Sequence, residues 1–144
     1  MAFTGNFMCT SFKVEILKAV HNFTLSTGNT FNIAMYTNSA SFTAATTAYT
    51  TGNEVTGTGY TAKGYALTNV TPVSTSTTAF TDFGDATWSS STITARGAMI
   101  FNDTATADPS VVILDFGSDK SSSSGDFTIV FPTGDATSAI IRIA

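Results

Sequence analysis

Two short motifs in the sequence imitate sites that bind nucleotides. Residues 57–62 match the GxGxxA fingerprint of dinucleotide-binding proteins, and Asp82 follows roughly twenty residues later, where such proteins place an acidic residue. The fingerprint binds pyrophosphate only when a helix begins directly after it, and residues 63–68 have no helical period. The kinase tripeptide Asp-Phe-Gly occurs at Asp82 and Asp115, but the chain has no HRD-type loop and is too short for two kinase lobes. We interpret both matches as chance.

Acidic residues offer a second possible chemistry. Asp82 with Asp85, and Asp115 with Asp119, have turn-like spacing in oxygen-rich stretches of the kind that calcium favours. Aspartate is also an ordinary residue of hairpin ends, and neither pair matches an EF-hand. Glycosidase chemistry needs one acid and one base, and nothing in the sequence distinguishes the two. Calcium or glycan binding by a loop stays open, and we predict no catalytic residue, no metal site and no cofactor.

The composition argues against several classes of partner. Six basic residues are scattered along a chain of 144 residues with a formal net charge of −4, so they do not form the basic patch that binds nucleic acid. No window approaches the roughly 18 apolar residues of a membrane span, and no basic region precedes an apolar run at the N-terminus. We therefore expect no nucleic-acid partner, no membrane partner and synthesis in the cytoplasm. The single cysteine, Cys9, excludes an intrachain disulfide.

One helix is predicted, close to the N-terminus, within residues 6–22. Its apolar residues have the spacing of a single helix face: Phe12, Ile16, Leu17 and Val20. Thr10 or Ser11 is placed to cap the first turn. His21 follows the helix, at a position where a lone histidine usually caps the C-terminus or packs beside it. The pattern indicates an amphipathic helix that lies on a sheet or on a neighbouring subunit.

The rest of the chain has the two-residue period of β-strands. Residues 92–101 alternate between two faces, and residues 30–37 and 110–116 form further apolar strands, of which the last is continuous enough to be buried on both faces. Residues 117–125, rich in serine and glycine, are predicted to be a flexible loop. Turn signals recur about every ten residues, which favours antiparallel strands. Trp88 lies at a corner where its large ring can close the core.

These patterns predict a mainly β protein with a single domain over residues 1–144. We expect an antiparallel β-sandwich, jelly-roll or Ig-like, of about seven or eight strands with one short N-terminal helix. The helix lies in residues 6–22 and the sandwich in residues 30–144. The side chains expected at the centre of the core are Trp88, Phe101, Ile113 and Phe127.

Four long stretches carry a resemblance to a known family. They are GNFMCTSFKVEILKAVHNF from residue 5, NEVTGTGYTAKGYALTNVTP from residue 53, FTDFGDATWSSSTITARGAMIFN from residue 80, and VVILDFGSDKSSSSGDFTIVFPTGDATSAIIRIA from residue 111. Together they resemble small virion structural proteins of tailed bacteriophages. The resemblance implies a non-enzymatic β-rich protein present in many copies on the virion, most simply a capsid decoration or cement protein whose partner is the major capsid protein. It carries no functional residue onto this chain.

The N-terminal segment is the expected interface. Four large apolar side chains precede the first predicted strand of the sandwich: Phe3, Phe7, Met8 and Phe12. One hypothesis is that they dock a homo-oligomer, a trimer, onto the capsid lattice. The other is that they cover an open end of the protein's own core. Deletion of residues 1–10 separates the two, because the first hypothesis predicts a folded domain that no longer assembles and the second predicts unfolding.

A tail or fibre component is the alternative function. Such a protein could bind host-surface glycan through exposed aromatic rings, and the candidates are Tyr36, Tyr49, Tyr60 and Tyr65. The position of the protein on the particle would discriminate the two hypotheses. A decoration protein lies at pseudo-threefold positions of the capsid, whereas a fibre component lies on the tail.

Overall fold

Antiparallel strands make up most of the computed structural model, which describes residues 3–144. In chain order the elements are β1 (Phe7–Met8), α1 (Thr10–Leu17), β2 (Phe31–Tyr36), β3 (Tyr65–Ala66), β4 (Asn69–Thr75), β5 (Thr78–Phe83), β6 (Ala86–Asn102), β7 (Ser110–Ile129) and β8 (Ile141–Ile143). One sheet has the order β1-β7-β6-β2-β3 and the other the order β4-β5-β8. The predicted two-sheet, antiparallel fold with one short helix is confirmed.

The hairpin of β6 and β7 dominates the larger sheet. Its strands contain 17 and 20 residues, and register shifts interrupt their pairing at several points. Each extra residue in one strand bends and twists the pair. Phe116 and Phe127 of β7 consequently have ring centroids only 6.4 Å apart, although eleven residues of straight strand would span about 36 Å. The hairpin therefore curls back over itself.

The predicted loop at residues 117–125 is wrong, because the whole stretch lies within β7, and residues 120–122 and Gly125 pair with β6. Lys120 lies opposite Ala95, and Ser121 lies opposite Thr94. Hydroxyl groups form cross-strand hydrogen bonds here, such as the 2.8 Å bond between the Thr94 and Ser121 side chains, and a serine-rich composition alone does not reveal them. The largest irregularity is a bulge at residues 116–119, where β7 has three more residues than β6, and a smaller shift lies at residues 123–124.

The helix is shorter than predicted and is differently capped. α1 begins only at Thr10, because Phe7–Met8 pair with β7 as β1. Its N-cap is Cys9, and within residues 3–144 no side chain caps it, so the predicted cap by Thr10 or Ser11 is wrong. Ala19 has a φ of 58°, the left-handed conformation that ends helices. Leu17, expected on the buried face, is 88% exposed.

The core lies between helix α1 and the inner faces of the two sheets. The four predicted core side chains are all buried: Trp88, Phe101, Ile113 and Phe127. β2, predicted as half-buried, is buried on both faces except at Asn32. Its Phe31 ring stacks on Phe23 at 4.3 Å, and both rings contact Phe83 of the smaller sheet. This aromatic cluster joins the two sheets.

Candidate docking groove

An open groove of about 850 Å³ lies between the two halves of β7. Side chains from both halves line it, because the curl of the hairpin brings them to face one another. The apolar members are Phe7, Met8, Val112, Leu114, Phe116, Phe127, Ile129, Val130, Phe131, Pro132, Ala139 and Ile140. β1 forms one wall and residues 131–140 form another. We call this feature the β7 groove.

Two of the four predicted interface residues lie on the β7 groove. Phe7 and Met8 form β1, pair with Ile113 and Val112, and are only partly buried against the core. Their outer surfaces therefore face the groove. This placement leaves the docking hypothesis available for this part of the N-terminal segment.

The other two predicted interface residues belong to the core. Phe3 is 1% exposed and Phe12 is fully buried, so within a single chain neither has surface left for a partner. Phe3 packs edge-on against Phe42 and covers Gly97, where a Cβ atom would overlap its ring. Phe12 packs against Phe23. The interface expectation is wrong for these two side chains, since the sheet needs them to close its end.

Hydrogen bonds fasten the N-terminal segment beside the groove. The Gly5 N–H donates to the Asp115 carboxylate at 3.0 Å, and the Asp115 N–H donates to the Asn6 side chain at 2.7 Å. Arg96 of β6 pairs with the same carboxylate. Hydrogen bonding from the Gly117 N–H, followed by the Arg96 guanidinium, lowers the pKa of Asp115. The ionised carboxylate thus links β1 to the sheet at the groove rim.

The surface of the β7 groove is suited to binding. Its floor is apolar, and its rim carries the charges of Asp115, Lys120 and Asp126. Within residues 3–144, β1 pairs with β7 only at Val112 and Ile113, so most of the outer edge of β7 has no neighbouring strand. Free backbone groups beside an apolar floor are suited to an extended segment of another chain.

Sequence reasoning missed the groove residues outside β1. Phe116, Ile129 and Ile140 are half-buried apolar side chains that the strand period assigns simply to a core. Their exposed surfaces meet only because the bulge at residues 116–119 curls β7. The Asp-Phe-Gly-Ser string at that point was the available signal, since glycine in a strand often marks a bulge.

Three of the four candidate glycan-binding tyrosines are engaged elsewhere. The buried Tyr36 donates to the Thr50 carbonyl at 2.7 Å, while Tyr49 and Tyr60 donate to the Glu54 carboxylate at 2.5 and 2.8 Å. Burial, followed by the Glu54 charge, raises the pKa of Tyr49 to about 12. Only Tyr65 is exposed. The expectation of an exposed glycan-binding tyrosine is therefore wrong for Tyr36. It is less well supported for Tyr49 and Tyr60, whose hydroxyl groups are bonded to Glu54.

His21 takes part in a buried polar cluster that fixes the helix. Its Nε2 lies 2.8 Å from a Glu15 carboxylate oxygen, and its Nδ1 lies 3.1 Å from the Asn102 side-chain nitrogen. Because Asn102 donates to Nδ1, the proton on Nε2 donates to Glu15. The histidine side chain is fully buried. Its position beside the helix is as predicted, and its role is to tie α1 to β6.

The motifs that imitate catalytic sites lie in structural turns. Residues 57–62 approach β6 through a bridge between Thr58 and Thr92 and lead into further turns rather than a helix. Asp82 and Asp85 flank the β5–β6 turn, and Asp119 lies in the bulge of β7. Within the described part of the chain, no three His, Cys, Asp or Glu side chains are grouped so that they could hold a metal ion.

Comparison with known proteins adds no identification. Searches against protein-family models, curated proteins and solved structures found no match. Among residues 3–144, no helix has both the length and the apolar character needed to cross a membrane. The resemblance to phage virion proteins therefore rests on the sequence stretches alone.

Proposed function

We propose that this protein is a structural component of a bacteriophage virion, a decoration protein that cements the capsid. It acts by protein–protein contact, in many copies, as a homo-oligomer, for which a trimer is the proposed state. The partner is the major capsid protein, and the β7 groove receives an extended apolar segment of it. The observation that carries the proposal is the groove itself, an apolar channel beside an unpaired strand edge.

Several features of the groove support a docking role. Val130, directly after β7, is 72% exposed although it is a large apolar residue. Phe7, Phe116 and Ile140 add partly covered apolar surface around the same channel. Contiguous apolar surface with a polar rim is typical of sites that bind another protein. The proposal also agrees with the sequence resemblance, whose four stretches cover about two thirds of the chain.

The proposal includes the absence of enzymatic activity. The side chains best suited to chemistry are held in structural contacts: His21 with Glu15 and Asn102, Glu54 with two tyrosines, and Asp115 with Arg96. A catalytic group needs access to a substrate, and the hydrogen bonds of these side chains are made to other parts of the fold. A tail or fibre position remains the alternative, with Tyr65 as the exposed aromatic residue.

Groove variants test the proposal. We expect Val130→Asp and Phe116→Ser to weaken binding to capsids about tenfold or more, because each removes apolar contact from the floor or mouth of the groove. Binding is measured by co-sedimentation with capsids assembled without the protein. Val130→Asp is the cleaner variant, since its side chain is largely exposed and the fold does not depend on it.

Leu17→Asp is the matched control for this experiment. Leu17 is an apolar residue that is even more exposed than Val130, but it lies on α1 and does not line the groove. It should bind capsids like the wild type. Wild-type binding by both groove variants would refute docking through this surface, and a loss of binding with Leu17→Asp alone would move the contact to the helix.

A further inference from the structure

The side chain of Asp82 is an unusual buried charge. It lies on β5, is only 2% exposed, and its Oδ1 accepts a 2.8 Å hydrogen bond from the Phe83 N–H. Its other carboxylate oxygen, Oδ2, is buried and has no hydrogen-bond partner within residues 3–144. A buried carboxylate without a full set of partners is costly when ionised.

Residues 131–140 cover this carboxyl group. A Cβ atom added at Gly134 would lie 3.5 Å from the Cβ of Asp82, so the segment passes close to this side chain. The start of the segment is held by the Phe131 N–H, which donates to Asp85 at 2.8 Å. Its end leads into β8, where Ile141 pairs with Thr81 of β5. Asp82 thus lies beneath a strap that is attached at both ends.

The charges around Asp82 do not neutralise it. Asp85, in the β5–β6 turn, is a second anion. Asp135, on the strap, accepts hydrogen bonds from Thr137 and Ser138. Arg142 of β8 lies opposite Phe80 and donates to the Ala136 carbonyl instead of pairing with Asp82.

Two further observations complete the electrostatic surroundings of Asp82. β4, the other neighbour of β5, has no titratable residue. None of the ion pairs formed within residues 3–144 includes Asp82. The carboxyl group therefore faces anions and apolar surface without a compensating cation.

We propose that Asp82 is a pH-sensitive latch for residues 131–140. While the carboxyl group is protonated the strap stays packed over β5, and ionisation, which places an unpaired charge beneath the strap, loosens it. Five strap residues line the β7 groove: Phe131, Pro132, Ser138, Ala139 and Ile140. Ionisation of Asp82 therefore frees one wall of the groove. This inference concerns the fold and does not depend on the capsid proposal.

The direction of the pH dependence follows from burial. Desolvation outweighs the hydrogen bond from the Phe83 N–H and raises the pKa of Asp82 above its ordinary value of 3.8. The folded state therefore retains the proton more strongly than the unfolded state. The contribution of Asp82 to folding is intact below the ordinary pKa and is lost as the pH rises through the raised value.

Amide hydrogen exchange between about pH 4 and about pH 8 tests the latch. After correction for intrinsic exchange, protection of residues 131–140 should fall severalfold as the pH rises, while protection of β2 stays constant. Asp82→Asn should keep the strap protected across this range. Asp119→Asn, an exposed carboxylate on the bulge of β7, is the matched control and should behave like the wild type.

Two results would overturn the latch. One is strap protection in the wild type that does not change with pH, and the other is an unchanged pH dependence in Asp82→Asn. If Asp82→Asn does not fold, the wild type still decides the question through the ¹³C resonance of the Asp82 carboxyl group. A titration midpoint at or below 3.8 refutes the proposal, and a midpoint above it supports it.

Discussion

Deletion of residues 1–10 is expected to abolish the cooperative unfolding of this protein. The deletion removes the buried side chains of Phe3 and Cys9, the pairing of β1 with β7, and the bonds of Gly5 to Asp115. Loss of a buried phenylalanine alone costs about 3–5 kcal/mol, out of a typical total stability of about 5–15 kcal/mol. Circular dichroism during heating should show no sigmoidal transition.

The contrary result is equally specific. A truncated chain that melts cooperatively but no longer binds capsids would assign the N-terminal segment to docking, against the burial of Phe3. Phe3→Ala provides a graded control, because it leaves β1 in place and removes one core side chain. It should lower the melting temperature without eliminating the transition.

Trp88→Ala is expected to destabilise the protein by about 3–5 kcal/mol. The indole is buried at the start of β6, where its ring contacts those of Tyr60, Tyr65 and Phe127 at centroid distances of 6.1, 5.5 and 6.2 Å. The substitution leaves a large cavity between residues 57–65 and the end of the β6–β7 hairpin that lies farthest from its connecting loop. Chemical denaturation with urea measures the loss.

Trp88→Phe is the matched control. The Trp88 Nε1 atom is buried and has no hydrogen-bond partner in the described structure, so phenylalanine keeps much of the ring contact and removes an unsatisfied N–H group. It should cost clearly less than Trp88→Ala. An unchanged midpoint for Trp88→Ala would show that the indole does not close the core.

The strand period predicted much of the fold because burial in a sheet follows local alternation. The alternation holds over residues 91–95, where Ser91, Ile93 and Ala95 are buried and Thr92 and Thr94 are exposed, and Trp88 closes the corner where the sequence placed it. Such positions are set by which face meets the core. Local sequence therefore suffices for them. From Arg96 to Asn102 the strand is buried on both faces, which the alternation did not predict.

Long-range pairing determined what the sequence did not predict. Ser121 belongs to a strand only because Thr94 lies opposite to it, and Met8 leaves the predicted helix only because Val112 offers it a strand edge. The groove depends on two successive long-range effects. The bulge near Gly117 curls β7, and the curl brings Phe116 toward Phe127.

Cryo-electron microscopy of purified phage particles carrying this protein tests the proposed function most directly. We predict density for the chain at pseudo-threefold positions of the capsid, with Phe116 and Val130 of the β7 groove in contact with the major capsid protein. Density on the tail would favour the fibre alternative. Capsid density in which the groove faces solvent, or particles that lack the chain altogether, would contradict docking through this groove.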